Sequence, residues 1–496
     1  MSGTIRIEKL GKPGVFLAAE GFDHDAKRAT VDNGMTPLRI IEIHGYVWGQ
    51  PTKQKPPLAD ANIDKIIDAL TRPLTPEEAK PKPIAKEKLQ PIEIAAESYE
   101  AAFEKFNQLF LDSHWGDGLS LVPPTRKAVD WMLTGTSRLS DEVIGKVDPK
   151  GGSATVEKIA INAVMAGAKP EYLPVIIAAM EGFTDPNFDL RHPLLSMGSF
   201  SFAIVVSGPI VEELNINSGA GFFGHGWRAN ATIGRALRLC LINLGHTFPQ
   251  VNDMARLGRQ SAYTYYVIGE NKRSPWPPYH VAQGYKPEDS CVTVSTVGSH
   301  ISGAGNNLAH NGNTAESALD DVVETILKRR SLQWEGYKRG TANLVALPLK
   351  YLFLVTPEMA DLLYARGFKD QRSIKDYIYG ATSVPYENLS AEEKRGIQDW
   401  IDTSVAGEGI MGLRLPPDRI SFFQEAFKPG GKVPLITTPE DIHIMVVGYG
   451  SGGGTLGGVH ELSFGRPLYK PTSHQTRPIR GATLTKAGRE KAKPSY

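Results

Sequence analysis

Between residues 215 and 228 the chain reads NINSGAGFFGHGWR, in which Gly219, Gly221, Gly224 and Gly226 alternate with aromatics and His225 just ahead of an apolar helical segment. A glycine-rich loop that feeds a helix leaves backbone N–H groups unpaired and gathers the positive end of the helix dipole, so it can hold an anion. Arg228, Arg235 and Arg238 add fixed charge nearby, and Asn230 or Thr232 stands where a helix cap could form. The spacing predicts that Asn215, Asn217, Ser218, Gly219, Trp227, Arg228, Asn230 and Arg235 contact a small polar or anionic substrate. A structural reading competes with this one: glycines let backbones pack closely, and an arginine on a buried helix commonly pairs with a carboxylate.

Proton transfer needs groups that titrate or hydrogen-bond near neutrality, histidine first among them. His225 lies in the loop itself. Tyr279 and His280 end SPWPPYH (274–280), a proline-stiffened aromatic loop suited to wall a pocket or to act as a packing lid. Asp117 belongs to HWGDGLSLVPPT (114–125), whose glycines and paired prolines argue for a fixed loop. There, His114 and Asp117 either cap neighbouring elements or face a site. His225, His280, Tyr279 and Asp117 are therefore the catalytic candidates, in a pocket walled by the 114–125 and 274–280 loops.

A second glycine loop, GYGSGGGTLGG (448–458), follows the apolar run 441–447 and formally contains GxGxxG at Gly448, Gly450 and Gly453. A dinucleotide fingerprint also requires a helix opening at the loop and an acidic residue about 20 positions on, and neither is evident, so NAD is not expected. A P-loop fails because no Lys-Ser/Thr follows. The loop is better read as backbone amides lining a pocket, which adds Gly450 and Gly453 to the substrate contacts. The twelve histidines contain no HxxxH or HxH pair, so a divalent metal would need ligands from distant segments and its residues stay unknown. His24, between Asp23 and Asp25, could ligate a metal or simply belong to a solvated Asx turn. No GxSxG elbow is present.

These groups must be positioned by the elements around them. Ile233, Ala236, Leu237, Cys240, Leu241 and Leu244 follow helical spacing, with Leu239 and Ile242 on the opposite side, which predicts a buried helix after the first glycine loop. Residues 151–167 repeat the arrangement, with a diglycine, Ser153 as a cap and an alanine-rich helix carrying Glu157, Lys158 and Asn162. Further helices are expected over 61–70, 95–112, 171–181, 314–330, 357–367, 372–379 and 390–402. Strands are expected over 14–18, 38–44, 201–207, 263–268 (ending at Gly269-Glu270-Asn271), 291–297, 349–355 and 441–447. The fold class is α/β, with mixed sheets and packed helices in two α/β lobes plus an N-terminal β-rich arm. The expected divisions are a β-rich segment at 1–49, a Pro/Lys-rich linker or wrapping arm at 50–94, a main domain at 95–345, a C-terminal domain at 346–470 and a basic tail at 471–496 that lies over another subunit or is disordered.

The chain has 496 residues, 41% hydrophobic and 22% charged, ordinary values for a folded multi-domain protein. With 55 basic and 54 acidic side chains, its net charge of +1 gives no field directed at nucleic acid or membrane. Cys240 and Cys291 are its two cysteines, too few for a disulfide framework, and no apolar run is long enough to span a bilayer. The expectation is a cytoplasmic protein.

DGLSLVPPT (117–125), GGSATVEKIAINAVMAGAKPEYLPVIIAA (151–179) and NINSGAGFFGHGWRANATIGRALRL (215–239) together resemble a bacterial family. It is similar to the large component found beside, or fused to, (seleno)proteins with a UGSC/CGSC motif. The resemblance spans roughly residues 110–300 and, more weakly, 441–458. The small partners look like selenoprotein subunits of glycine-type reductases, which implies thiol or selenol chemistry at a subunit interface with a Cys-Gly-Ser-Cys protein. This chain contains no such motif. The expected function is a subunit of an enzyme, homo- or hetero-oligomeric, that acts on a small polar or anionic substrate by elimination, hydration or carbon–heteroatom cleavage, with a divalent metal as an option. The alternative is a substrate-binding or structural subunit of a thiol- or selenol-dependent reductase-like complex.

Overall fold

Apolar, β-branched runs make the strands at the centre of this α/β fold, and polar segments complete them. The computed structural model describes residues 91–261, 263–304, 319–327, 350–407, 415, 417–449, 459–464 and 472–484. Before residue 77 it describes 10–20, 38–45 and 55–76, with isolated positions 4, 7, 8, 23, 26, 27 and 30. The chain divides into one unit of residues 1–94 with 332–345 and another of 95–331 with 346–496.

In the first unit, β1 (Val15–Ala19) and β2 (Arg39–Ile43) pair in parallel. The stretch expected to be a linker with one helix contains two among its described residues, Lys55–Asp60 and Ile63–Thr71. The second is tied to the strands, since the Arg39 guanidinium donates to the carbonyls of Ala69 and, at 3.1 Å, Pro73.

The second unit holds a hairpin of β3 (Val143–Val147) and β4 (Gly152–Thr155) and a larger sheet. β4 takes up Ser153, so the cap of helix Val156–Met165 comes from Thr155 Oγ1, which accepts the N–H of Lys158 at 3.2 Å. The sheet contains β5 (Ser201–Ser207), β6 (Tyr266–Gly269), β7 (Cys291–Ala304) and β8 (Tyr351–Val355). Beyond a two-residue ladder of β9 (Val384–Pro385) with β10 (Lys432–Val433), β11 (Ile442–Val446), β12 (Val459–Phe464) and β13 (His474–Pro478) complete it. Its order is β11-β8-β12-β7-β5-β6, and β13 also pairs with β7. Strands from both sides of residue 345 thus share one sheet. The basic segment after 471, expected to be a tail, supplies a strand of it through residue 478, and 485–496 lie outside the described residues.

Strand directions show how the sheet bends. β5 and β6 are parallel, β7 is antiparallel to β5, β12 to β7 and β8 to β12, and β11 is parallel to β8. The ends of β6 and β11 therefore fall at diagonally opposite corners. Yet the N–H of Asn271, just past β6, donates to Val446 O at the end of β11 at 2.9 Å. The sheet is coiled until these corners meet, an extreme of the normal strand twist, helped by register shifts along β12 against β7.

The inner face carries Ala203, Val205, Ile268, Val297, Leu352, Leu354, Met445, Val447 and Leu462 as one core. The outer face of β8 and β11 packs Tyr351, Phe353, Ile442 and Ile444 against helices Pro357–Ala365 and Gln371–Ala381 through Met359, Leu363, Ile374 and Ile378. Over β7, helix Leu173–Phe183 is buried everywhere except Glu181, and a Cβ on Gly182 would come within 2.6 Å of Val294. Helix Arg228–Asn243 lies against β6 at Gly234, where a Cβ would meet Tyr265 O at 2.6 Å. Its residues Ile233, Ala236, Leu237, Leu239, Cys240 and Leu241 are fully buried, as their spacing predicts. Among the described residues no helix is long and apolar enough to cross a membrane.

Candidate functional site

The corner where β6 and β11 meet also gathers the glycine loops. Gly448 N–H donates to Ser218 O at 2.8 Å, and the Asn271 side-chain amide donates to Gly448 O at 3.2 Å and Ser218 O at 3.4 Å. Two buried asparagines hold the first loop in place. Asn217 accepts from Gly219 N–H at 2.9 Å and donates to Ala220 O at 2.9 Å, an Asx turn. Asn230 accepts from Asn217 N–H at 2.8 Å and donates to Asn217 O at 3.2 Å and Val267 O at 3.0 Å, fastening the loop to β6. Phe222 packs against the inner core of the sheet. The helix that follows has Trp227 at its N-cap with no side-chain cap; Thr232 instead bonds back to Arg228 O at 2.7 Å, so neither proposed capping residue caps.

Period-two alternation from Ile268 puts Glu270 on the inner face, and it is 8% exposed. One carboxyl oxygen accepts the Tyr279 N–H at 2.7 Å, while Oε2 is buried with no hydrogen-bond partner among the described residues. Burial pushes its pKa up from 4.5 to about 8, against the pull of the Tyr279 N–H. Close to neutral pH the protonated form predominates, with the carboxylate as the minor form.

Tyr279 itself turns inward. Its hydroxyl lies 3.1 Å from His443 Nδ1 and 3.2 Å from His474 Nε2, and His474 Nδ1 lies 2.7 Å from Ser295 Oγ. Register explains the meeting, because His474 sits opposite Ser295 on β7 and His443 shares its face with Met445. Burial, then the neighbouring His474, Lys375 and Lys350, holds His443 well below its usual range; burial, then Lys350, lowers His474 to about 3. Both rings are neutral, and burial raises the Tyr279 hydroxyl well above 10. A phenol has one proton, so if Tyr279 donates to His443, His474 must donate to Tyr279 through Nε2–H, and if Tyr279 donates to His474, His443 must donate through Nδ1–H. The tautomers of the two histidines are therefore locked together through Tyr279.

The structure distributes the residues singled out by sequence. Asn217, Ser218 and Gly219 reach the corner, as does Tyr279 through its N–H. His280 is wholly buried, with Nε2 3.0 Å from Lys286 O and Nδ1 without a partner among the described residues. His225 and Trp227 are exposed on the loop, and Asn215 is exposed in a left-handed conformation at φ 51°. Three of the singled-out residues hold the scaffold. Arg235 grips Asp117 with two bonds of 2.7 and 3.0 Å and also donates to Leu119 O and Ser120 O. With the Asp117 side chain 3% exposed, this pair fixes the 117–120 loop to the helix. Arg228 donates twice to Gly167 O, at 3.0 and 2.9 Å. On the neighbouring helix Asn162 pairs with Asn243 at 2.7 Å and Glu157 with Arg126. Gly450, Gly453 and His24 lie outside the described residues.

Sequence reading missed Glu270, Asn271, Ser295, His443 and His474. The available signal was period two: Glu270 two residues past Ile268, and His443 two before Met445. Among the described residues no group of three or more His, Cys, Asp or Glu side chains could hold a metal ion. Cys240 and Cys291 are buried, and burial raises both thiols, Cys291 to about 12. Compared with protein-family models, curated proteins and solved structures, the chain matches none.

Proposed function

We propose that this chain is an enzyme, or the catalytic subunit of one, that performs general acid–base chemistry on a small polar or anionic substrate at the corner between its glycine-rich loops, with Glu270 carrying the proton. The observation behind this reading is the placement of Glu270: buried, held at one oxygen by Tyr279 N–H, unpartnered at the other, and next to Asn271, which joins the two loops. A carboxyl group that titrates near 8 exists in both forms close to neutral pH, so it can take a proton from carbon and return it to a leaving oxygen or nitrogen. Elimination, its reverse hydration, or cleavage of a carbon–heteroatom bond all use this pair of steps with no net change in the protein. The uncapped N-terminus of helix Arg228–Asn243, tied to the loop through Asn230, favours negative charge on the substrate.

Proton abstraction is read by NMR in D2O, with the full chain and a panel of two- to four-carbon carboxylic acids bearing hydroxyl, amino or oxo groups next to the carbon tested. The expected result is deuterium entering at that carbon for at least one member, slowed by about 100-fold or more in Glu270→Gln, the usual worth of a general acid–base group. Absence of exchange across the panel, or an unaltered rate in Glu270→Gln, overturns the reading. The resemblance to the partners of Cys-Gly-Ser-Cys proteins keeps a second reading, a subunit that binds substrate for thiol or selenol chemistry. Both cysteines here being buried and held as thiols, such chemistry would come from the partner.

A further inference from the structure

On the outer face of β13 a cavity of about 480 Å3 opens between Tyr285, Arg477, Arg480, Glu181, Asp185 and Pro186. Its volume falls within the roughly 300–1,000 Å3 typical of small-molecule sites. The charges around it are unequal in availability. Glu181 is paired with Arg138, which also grips Glu142 at 2.6 and 3.0 Å. Asp185 is paired with Arg477 and accepts Asn187 N–H at 2.8 Å. Arg480 is exposed and has no hydrogen-bond or ion-pair partner among the described residues. The Tyr285 hydroxyl donates to Thr476 O at 3.1 Å and lies beside Arg477 and Arg480, which fixes the ring as a wall. Pro186, Pro478 and Ile144 supply apolar surface.

We propose that this cavity is a second binding site, separate from the Glu270 corner, that takes a small monocarboxylate with an apolar body. Arg480 receives the carboxylate, and the body lies against Tyr285 and the two prolines. A dianion is disfavoured because Glu181 and Asp185 face the same space, and a cation is disfavoured because each of those carboxylates already has an arginine. The site shares a turn with the Glu270 corner, since Tyr285 N–H donates to His280 O at 3.1 Å.

The probe is benzoate, titrated into the full chain by calorimetry, with acetate (charge without body) and benzyl alcohol (body without charge) as comparators. The expected result is saturable benzoate binding, clearly tighter than either comparator, and weakened about tenfold, or ~1.4 kcal/mol, in Arg480→Ala. Arg480 is exposed, so this variant keeps its fold. Glu270→Gln should bind benzoate as the wild type does, which separates this proposal from the catalytic one. Failure of benzoate to saturate, equal affinity in Arg480→Ala, or loss of binding in Glu270→Gln overturns it.

Discussion

Replacing Glu270 by Gln should change how stability depends on pH more than it changes stability at any single pH. The carboxyl titrates at 4.5 when exposed and at about 8 in the folded chain, where burial opposes its ionisation. Between those values the native state keeps a proton that the unfolded chain has released, so stability falls as pH rises and levels off above about 8. At about 1.4 kcal/mol per pH unit the interval from 4.5 to about 8 amounts to roughly 5 kcal/mol. About 3 kcal/mol of that falls between pH 5.5 and 8.5, because the unfolded carboxyl is already ionised at 5.5 and the native one is mostly ionised by 8.5. Gln keeps an oxygen for the Tyr279 N–H and carries no charge, so it lacks this term. Urea unfolding of the full-length wild type and variant at pH 5.5, 6.5, 7.5 and 8.5 gives the difference directly, and other titrating groups cancel. The wild type should lose about 3 kcal/mol relative to the variant across that range. A difference constant with pH would mean that Glu270 ionises normally in the folded chain, and the acid–base assignment would fall with it.

Two further changes probe the groups around this corner. Tyr279→Phe removes the hydroxyl between His443 Nδ1 and His474 Nε2 and should cost about 1–3 kcal/mol. It should also uncouple the two ring tautomers, read from imidazole nitrogen shifts by NMR, and unchanged tautomers would refute the lock. Arg235→Ala leaves the 3%-exposed Asp117 carboxylate unpaired and should cost about 3–5 kcal/mol in urea unfolding. Adding Asp117→Ala should restore part of that loss, and strict additivity of the two costs would show that the pair carries no coupling.

Strands were legible where burial on both faces makes a mostly apolar run, as in β5 and β11, and helices where the 3.6-residue period is clear, as in Arg228–Asn243. β13 was not, because HQTRP has no such run. It belongs to the sheet through pairings made far away in sequence, Thr476 with Thr293 at 2.8 Å and His474 with Ser295 at 2.7 Å. The same limit governs the site. A glycine loop and its asparagines can be picked out locally, but whether an arginine beside them meets a ligand depends on partners such as Gly167 O and Asp117, which only the folded chain brings near. Coiling of the sheet, which joins Asn271 to Val446, leaves no trace in either segment.

The polar groups at this corner differ energetically from ordinary packing. Asn217 and Asn230 are buried but fully bonded, and they act on the position of one loop. Glu270 differs, because an orphaned buried oxygen costs about 1–3 kcal/mol, and the suppressed ionisation adds a further penalty above pH 4.5. A side chain like Ile268, on the same face two residues earlier, would fill that position without either cost. A partner that reaches Oε2 would offset the loss, and a neutral carboxyl offers that partner an O–H donor while its conjugate base offers an acceptor. A substrate that uses both in turn would gain most from this geometry, which is the argument for the acid–base role proposed for Glu270 over a packing role.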